Sequence, residues 1–389
     1  MIGLLTYLPT TAYIPQFFFL ITFFFVLIRD REIFLSAFSD FRQDSSHPIN
    51  WNFLIIVLII VFSFINRFIH WDSLGKVSEM FPYFILLIPT YVIAVGFRKS
   101  DAVVLVSLVG VEAIIVILES YFGVSTFDSS LAGFIEFDSG GLAYFQRPLG
   151  LSSSSSHIAS KLLLSWLMID FFKFKHKLWW LVKAMLLMAI VLTFNRSVLL
   201  SLGVYLMLFY TASFLDLKYK LENAVVGFIA GVIGFISVTA VVILKGQDLI
   251  SQLTRNTGKI ELTGREFLWA DFWVFIQDHL VFGNNSVKLW LDGYHAHNSY
   301  IEVIATNGVL ITLLYFLLIY RNVKKSNWVY VLPILVFGIT QYGFFWGISL
   351  MDILFYVILF KAISNYEIES LNPLPIEPIL SRKQLKGSS

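Results

Sequence analysis

The 389-residue sequence contains no cysteine, which excludes disulfides, thiolate metal sites and cysteine nucleophiles. Charge is scarce as well. Only 14% of residues are Asp, Glu, Lys or Arg, against about 25% in a soluble globular domain. The 28 basic and 26 acidic side chains nearly cancel, leaving +2, so no bulk attraction to nucleic acid is implied. No repeat of fixed period is visible, and low complexity is confined to Ser152–Ser156. What the chain has in abundance is apolar surface: 57% hydrophobic residues, 39 Phe, 10 Trp and a mean hydropathy of +0.77. Water-soluble cores cannot hide that many large apolar side chains, whereas a bilayer accommodates them. The expectation is an all-α polytopic integral membrane protein.

A spanning helix needs about 20 mostly apolar residues, because backbone polar groups in hydrocarbon must be bonded internally. Candidate spans lie near 10–28, 51–69, 80–97, 102–122, 158–172, 178–194, 197–214, 224–244, 298–319, 328–345 and 348–362. This gives about 11 spans, within a range of about 10–12. In the first, Pro9 and Pro15 are placed to divide one span into a hairpin of two. No Lys or Arg precedes it and no small-residue cleavage site follows, so a removable signal peptide is not expected.

Every second connection is basic. Arg29, Arg31 and Arg42 follow the first span, Arg98 and Lys99 the third, and Lys173, Lys175 and Lys177 the fifth; Lys218, Lys220, Arg321, Lys324 and Lys325 continue the series. The positive-inside rule places these connections and the C-terminus in the cytoplasm. The alternate connections then face outward, two of them long, at 123–157 and 245–297. The expected organisation is one transmembrane domain over 1–362 and a disordered cytoplasmic tail over 363–389.

Basic residues on the outward side are exceptions to that rule and therefore informative. Arg147 precedes span five, Arg196 sits in a tight outer turn, Arg265 lies in the second long loop, and Arg67 ends span two. Arg67 reads most simply as snorkelling to lipid headgroups. Guanidinium groups converging at one surface would instead bind a diphosphate without metal, since Arg pairs bidentately with phosphate oxygens and stays charged. Thr263-Gly-Arg-Glu266 has the form of a capping box, and Trp269, Phe272, Trp273, Ile276 and Leu280 follow at helical spacing. That pattern predicts an amphipathic helix over about 264–280 lying against the membrane surface. Arg265 in its first turn opposes the helix dipole, which points to another reason for its place. His295 and His297 have no third ligand nearby in sequence, so a metal reading is weak. His297, at the outer mouth of span nine, exchanges protons near neutral pH as a general base must. Asn298 and Glu302 follow it within one turn or so of helix, and a carboxylate inside a span is costly and often functional.

The block from Gly264 to Gly308 resembles the O-antigen polymerase/O-antigen ligase family of bacterial inner-membrane glycosyltransferases. The resemblance rests on Gly264-Arg265 with Trp269, on Phe282-Gly283, and on His297-Asn298 followed by Gly308 inside a hydrophobic span. Arg196 in Asn-Arg-Ser and Arg147 with Gly150 resemble two further family positions. Two departures concern Ile311, where the family often has Gly, Thr or Tyr, and the Ser152–Ser156 run with His157, which replaces an Asn. The resemblance implies a GT-C-like helical enzyme at the periplasmic face of the inner membrane. Its donor would be a glycan on undecaprenyl diphosphate, and its acceptor a hydroxyl of another lipid-linked repeat (polymerase) or of lipid A-core (ligase). In that reading His297, Arg265 and Arg196 are catalytic, while Arg147, Asn298, Glu302 and Trp269 bind substrate. No cofactor is implied, membrane lipid is a partner, and a chain-length regulator is a candidate partner.

Two other classes compete. A lipid-linked oligosaccharide transporter would be expected to carry basic residues along the middle of several spans, together with internal pseudo-symmetry. A purely structural subunit leaves the outward Arg and His residues unexplained. Metal-free chemistry carries a direct consequence: EDTA added to membranes should leave glycan transfer unchanged, and strong inhibition would restore a metal role to His295 and His297.

Overall fold

The computed structural model describes residues 2–7, 15–31, 51–70, 86–122, 148–152, 155–215, 265–284, 289–291, 293–341 and 350–361. Among them the chain is all helical, with no strand beyond a single isolated bridge pair. The helices are α1 (Ile2–Tyr7), α2 (Pro15–Arg29), α3 (Trp51–Ile69), α4 (Leu87–Gly96), α5 (Lys99–Phe122) and α6 (Ser155–Phe171), followed by α7 (Leu178–Leu192), α8 (Arg196–Leu215), α9 (Arg265–Asp278), α10 (Ser299–Asn322), α11 (Trp328–Thr340) and α12 (Leu350–Phe360). Three of them, α3, α5 and α10, are long and apolar enough to cross a membrane. Large apolar side chains such as Phe24, Val111, Leu181, Leu200, Met207 and Leu313 are exposed on the outside of the bundle. A protein apolar both inside and outside is suited to a lipid solvent.

Most of the expected spans coincide with helices. Within the first, expected near 10–28, lies α2 alone; the short α1 precedes it, and Pro15 opens α2, where its missing N–H costs nothing. The expected span at 224–244 and the tail from 363 lie outside the described residues.

At one end of the bundle the basic connections gather. Arg29 donates to Asp30 (2.8 Å) and to Asp101 (3.1 Å), and Arg98 pairs with Asp30. Lys99 donates to the carbonyl of Lys173 (3.2 Å), and Lys361 to that of Phe97. Asn52 and Asn322 exchange two amide hydrogen bonds of 2.9 and 2.8 Å, tying the start of α3 to the end of α10 at the same end. Asn327 adds bonds to Ile358 and Leu359 at the end of α12.

The centre is α12, which packs against α1, α4, α6, α10 and α11. Ile353 through Leu359 are each at most 2% exposed. A helix apolar on every side is one that neighbours must surround.

The second half of the fold turns on a break in α10. Gly308 has φ 76° and ψ 175° inside the helix, a conformation essentially closed to other residues. Such a break frees the backbone groups of the turn around it. The turn after α9 takes them up: Val309 N–H donates to Leu280 C=O (2.8 Å), and Asn284 N–H donates to Ala305 C=O (3.0 Å). Asn66 of α3 donates to Phe282 C=O (2.6 Å) beside them. Gly283, at φ +61°, faces the break so closely that a Cβ would stand 2.6 Å from the Asn307 nitrogen.

The amphipathic helix expected over about 264–280 is present as α9. It runs along the first half of α10 and drives its following turn into the break. Phe272 and Ile276 are buried with Ala305 and pack against Ile301 and Ile304. One face of α9 thus has a protein partner, while the apolar residues Phe267, Trp273 and Val274 on its far face remain exposed. Arg67, expected to snorkel, is likewise buried, at 8% exposure.

Replacing Gly308 by Ala should destabilise the fold by at least about 2–3 kcal/mol, combining backbone strain with overlap. Thermal unfolding in detergent would read this as a lowered midpoint. Gly203→Ala, where nothing lies within 4 Å of the new Cβ, should be tolerated.

Candidate active site

Opposite the basic end, three helix ends meet. The α10 end is built by Asn298, whose side-chain oxygen accepts from Tyr300 N–H (2.9 Å) and Ile301 N–H (3.1 Å) as an N-cap. Ser299 donates to Gln341 C=O (3.0 Å), and Tyr300 donates to Leu335 C=O (2.7 Å), joining this end to the last turn of α11. Arg265, the first residue of α9, donates to Thr340 C=O (2.7 Å) at the same place. This answers why a cation opens α9: the carbonyl end of α11 carries partial negative charge that offsets the unfavourable dipole of α9 itself. Arg265 is half-buried.

Arg196 stands at the same level. The rings of Tyr205 and Tyr330 meet at 5.9 Å between α8 and α11, and the two helices run in opposite directions. Nine residues beyond that contact, about 13 Å along each helix, lie Arg196 and Ile339. The turn before α8 is held by Asn195, whose side chain accepts from Val198 N–H (3.1 Å) and donates to Ser156 (3.1 Å) at the start of α6.

His297 precedes the N-cap with φ 49°, in the left-handed region. It is half-buried, and its ring lies 3.9 Å from that of His295. A non-glycine residue held there is uncommon, and such strain collects at functional sites. Trp269 donates its indole N–H to Ala296 C=O (2.7 Å), fixing the backbone just before His297. Glu302, 2% exposed, accepts from Leu289 N–H (2.6 Å).

The structure therefore brings together Arg265, Trp269, His297, Asn298 and Glu302 at one end, with Arg196 level with them across α11. It gives three of these positions structural partners: Asn298 caps α10, Glu302 holds the loop at Leu289, and Trp269 holds Ala296. Arg147 and Thr263 lie outside the described residues. Among the described residues no group of three or more His, Asp or Glu side chains gathers as a metal cage.

A second cluster at this end was not recognised in the sequence. Glu112 and Glu119 of α5 receive the chain that leads into α6. Glu119 accepts from Leu149 N–H (2.9 Å) and Gly150 N–H (2.8 Å). Glu112, wholly buried, accepts from Leu151 N–H (3.0 Å), the Ser152 hydroxyl (3.0 Å), the Tyr7 hydroxyl (2.8 Å) and Lys161 (2.8 Å to each oxygen). Lys161, in the second turn of α6, is 2% exposed. The signal was present as two carboxylates seven residues apart inside one span, on a single helix face. Their partners lie too far away in sequence to be paired by spacing.

No family model, curated protein or solved structure matches the chain.

Removing one charge of the Lys161–Glu112 pair leaves the other buried alone, at a cost of about 3–5 kcal/mol. Glu112→Gln should lower the folded fraction recovered from membranes. Combining Glu112→Leu with Lys161→Met should recover part of that loss, because the bonds to Leu151 and Ser152 stay broken. A double variant no better than the single would show that the charge pairing is not what holds this region.

Proposed function

We propose that this chain is a multi-pass glycosyltransferase of the bacterial inner membrane, with about 11 spans in a GT-C-like arrangement and its active end facing the periplasm. It transfers a glycan from undecaprenyl diphosphate to a sugar hydroxyl, most simply as a polysaccharide polymerase. The observation that carries this reading is the meeting of Arg265 and the His297-Asn298-Ser299 start of α10 on the carbonyl end of α11. The motif resemblance in the same block supports it. The gathering of Lys and Arg side chains at the opposite end supports the orientation. From Asn322 to Gly308 is about 21 Å of helix, less than the ~30 Å hydrocarbon thickness. In this orientation the turn after α9 enters the membrane from the periplasmic side.

The chemistry follows from the residues. The acceptor oxygen attacks the anomeric carbon, the bond from that carbon to the phosphate oxygen breaks, and undecaprenyl diphosphate leaves with the electron pair. The neutral imidazole of His297 accepts the acceptor's proton, a contribution of about 10²–10⁴ in rate. Arg265 and Arg196 stabilise the charge that grows on the departing diphosphate. Asn298, Glu302 and Trp269 act by fixing the backbone that carries His297. One feature favours a transport reading instead: broken helices at membrane depth line substrate sites in transporters.

Surface glycan from a deletion strain, complemented by wild type or variants, separates these readings on a gel. A polymerase leaves a single repeat on the lipid anchor when lost. A ligase leaves no repeat on the anchor while long lipid-linked glycan accumulates, and a transporter leaves lipid-linked repeats trapped on the cytoplasmic side. His297→Ala should reduce transfer about 10²–10⁴-fold and Arg265→Ala about 10²–10³-fold, at unchanged protein level. An unaltered ladder in both variants would refute the assignment.

A further inference from the structure

Between α9 and α10 the chain forms a small hairpin whose construction the proposed transfer step does not use. Leu291 and Tyr294 exchange two backbone hydrogen bonds of 2.8 Å each around Gly293, which has φ 82° and open space where a Cβ would be. Both ends of the hairpin are anchored in the protein. Leu289 N–H is held by the buried carboxylate of Glu302, and Ala296 C=O by the indole of Trp269. Leu289 and Ala296 are buried against α9 and α10. Leu291 packs against the same cluster, whereas Trp290 and Tyr294 are turned outward, 55% and 66% exposed.

The exposed rings form a row. Trp290 meets His295 edge to face at 4.9 Å and 66°, and His295 lies 3.9 Å from His297. The row thus runs from a half-exposed indole at the hairpin to the imidazole proposed above as the base. Saccharides suit such a surface, because the C–H groups of a sugar ring present an apolar face to an aromatic ring while the hydroxyls remain free for polar neighbours. Large aromatic surfaces also retain little conformational freedom to lose on binding. A residue that merely marks the lipid interface needs no hairpin pinned at both ends by buried polar groups.

We propose that Trp290, with His295 beside it, is the glycan platform that seats a sugar ring of the substrate next to His297. The proposal rests on the glycosyltransferase reading above and specifies the subsite within it.

The test uses full-length protein in detergent and, as probe, the glycan released by mild acid from lipid-linked oligosaccharides of the deletion strain. Saturation-transfer NMR should show contact between protein and sugar protons in the wild type. Affinity should fall about tenfold in Trp290→Ala and be largely restored in Trp290→Phe, since the aromatic face is what binds. Equal binding by wild type and Trp290→Ala would overturn the platform and leave Trp290 as a lipid-interface residue. Absence of binding by the wild type would overturn it as well. The complementation gel reports separately on the enzyme reading: a ladder restored by wild type upholds glycosyl transfer even where the platform fails.

Discussion

In an apolar solvent a backbone N–H or C=O must find a partner within the protein, and this requirement organises the part of the molecule from α9 to α11. The break at Gly308 opens α10, and the turn at Leu280–Asn284 closes the hydrogen-bond ladder again from outside the helix. From that one contact much else follows. The docked turn sets the course of α9, α9 presents Arg265 to the end of α11 and Trp269 to Ala296, and these place His297 and its neighbours. Glycine is required on both sides of the contact because the two backbones lie where side chains would stand.

The opposite solution appears in the first half. There the chain before α6 is not inserted into a broken helix but is caught by carboxylates. Glu112 and Glu119 accept four backbone or hydroxyl hydrogens from Leu149–Ser152, and Lys161 balances the deeper of the two charges. A buried ion pair of this kind is a weak source of net stability, yet it fixes one geometry among many. Ser156 and Asn195 then link this region to the start of α8.

Much of the helical layout was legible in the sequence, because helix length and apolar content are set by bilayer thickness and composition. The helices over Trp51–Ile69, Leu178–Leu192 and Ser299–Asn322 fall close to where the hydrophobic runs place them. The site was legible in part. Arg265 and His297 stood out as polar residues in unusual places, and Gly283 and Gly308 as part of a spaced motif. What local pattern could not reveal is partnership at long range. A helix with an apolar stripe looks the same whether lipid or protein covers it, so the packing of Phe272 and Ile276 of α9 against α10 was not legible. Arg67 looked like a headgroup-seeking cation because nothing in its neighbourhood announces that it is buried. Glu302 and Asn298 stood out as well, but spacing alone did not reveal that Glu302 accepts from the distant Leu289 amide or that Asn298 caps α10.

The position of α12 bears on how such a chain is made. It is the last of the described helices to leave the ribosome and the one most completely enclosed by the others. Until it arrives, the faces of α4, α6, α10 and α11 that will surround it lack their final neighbour. Closing the ring of earlier helices around α12 is therefore the last packing step open to the described helices.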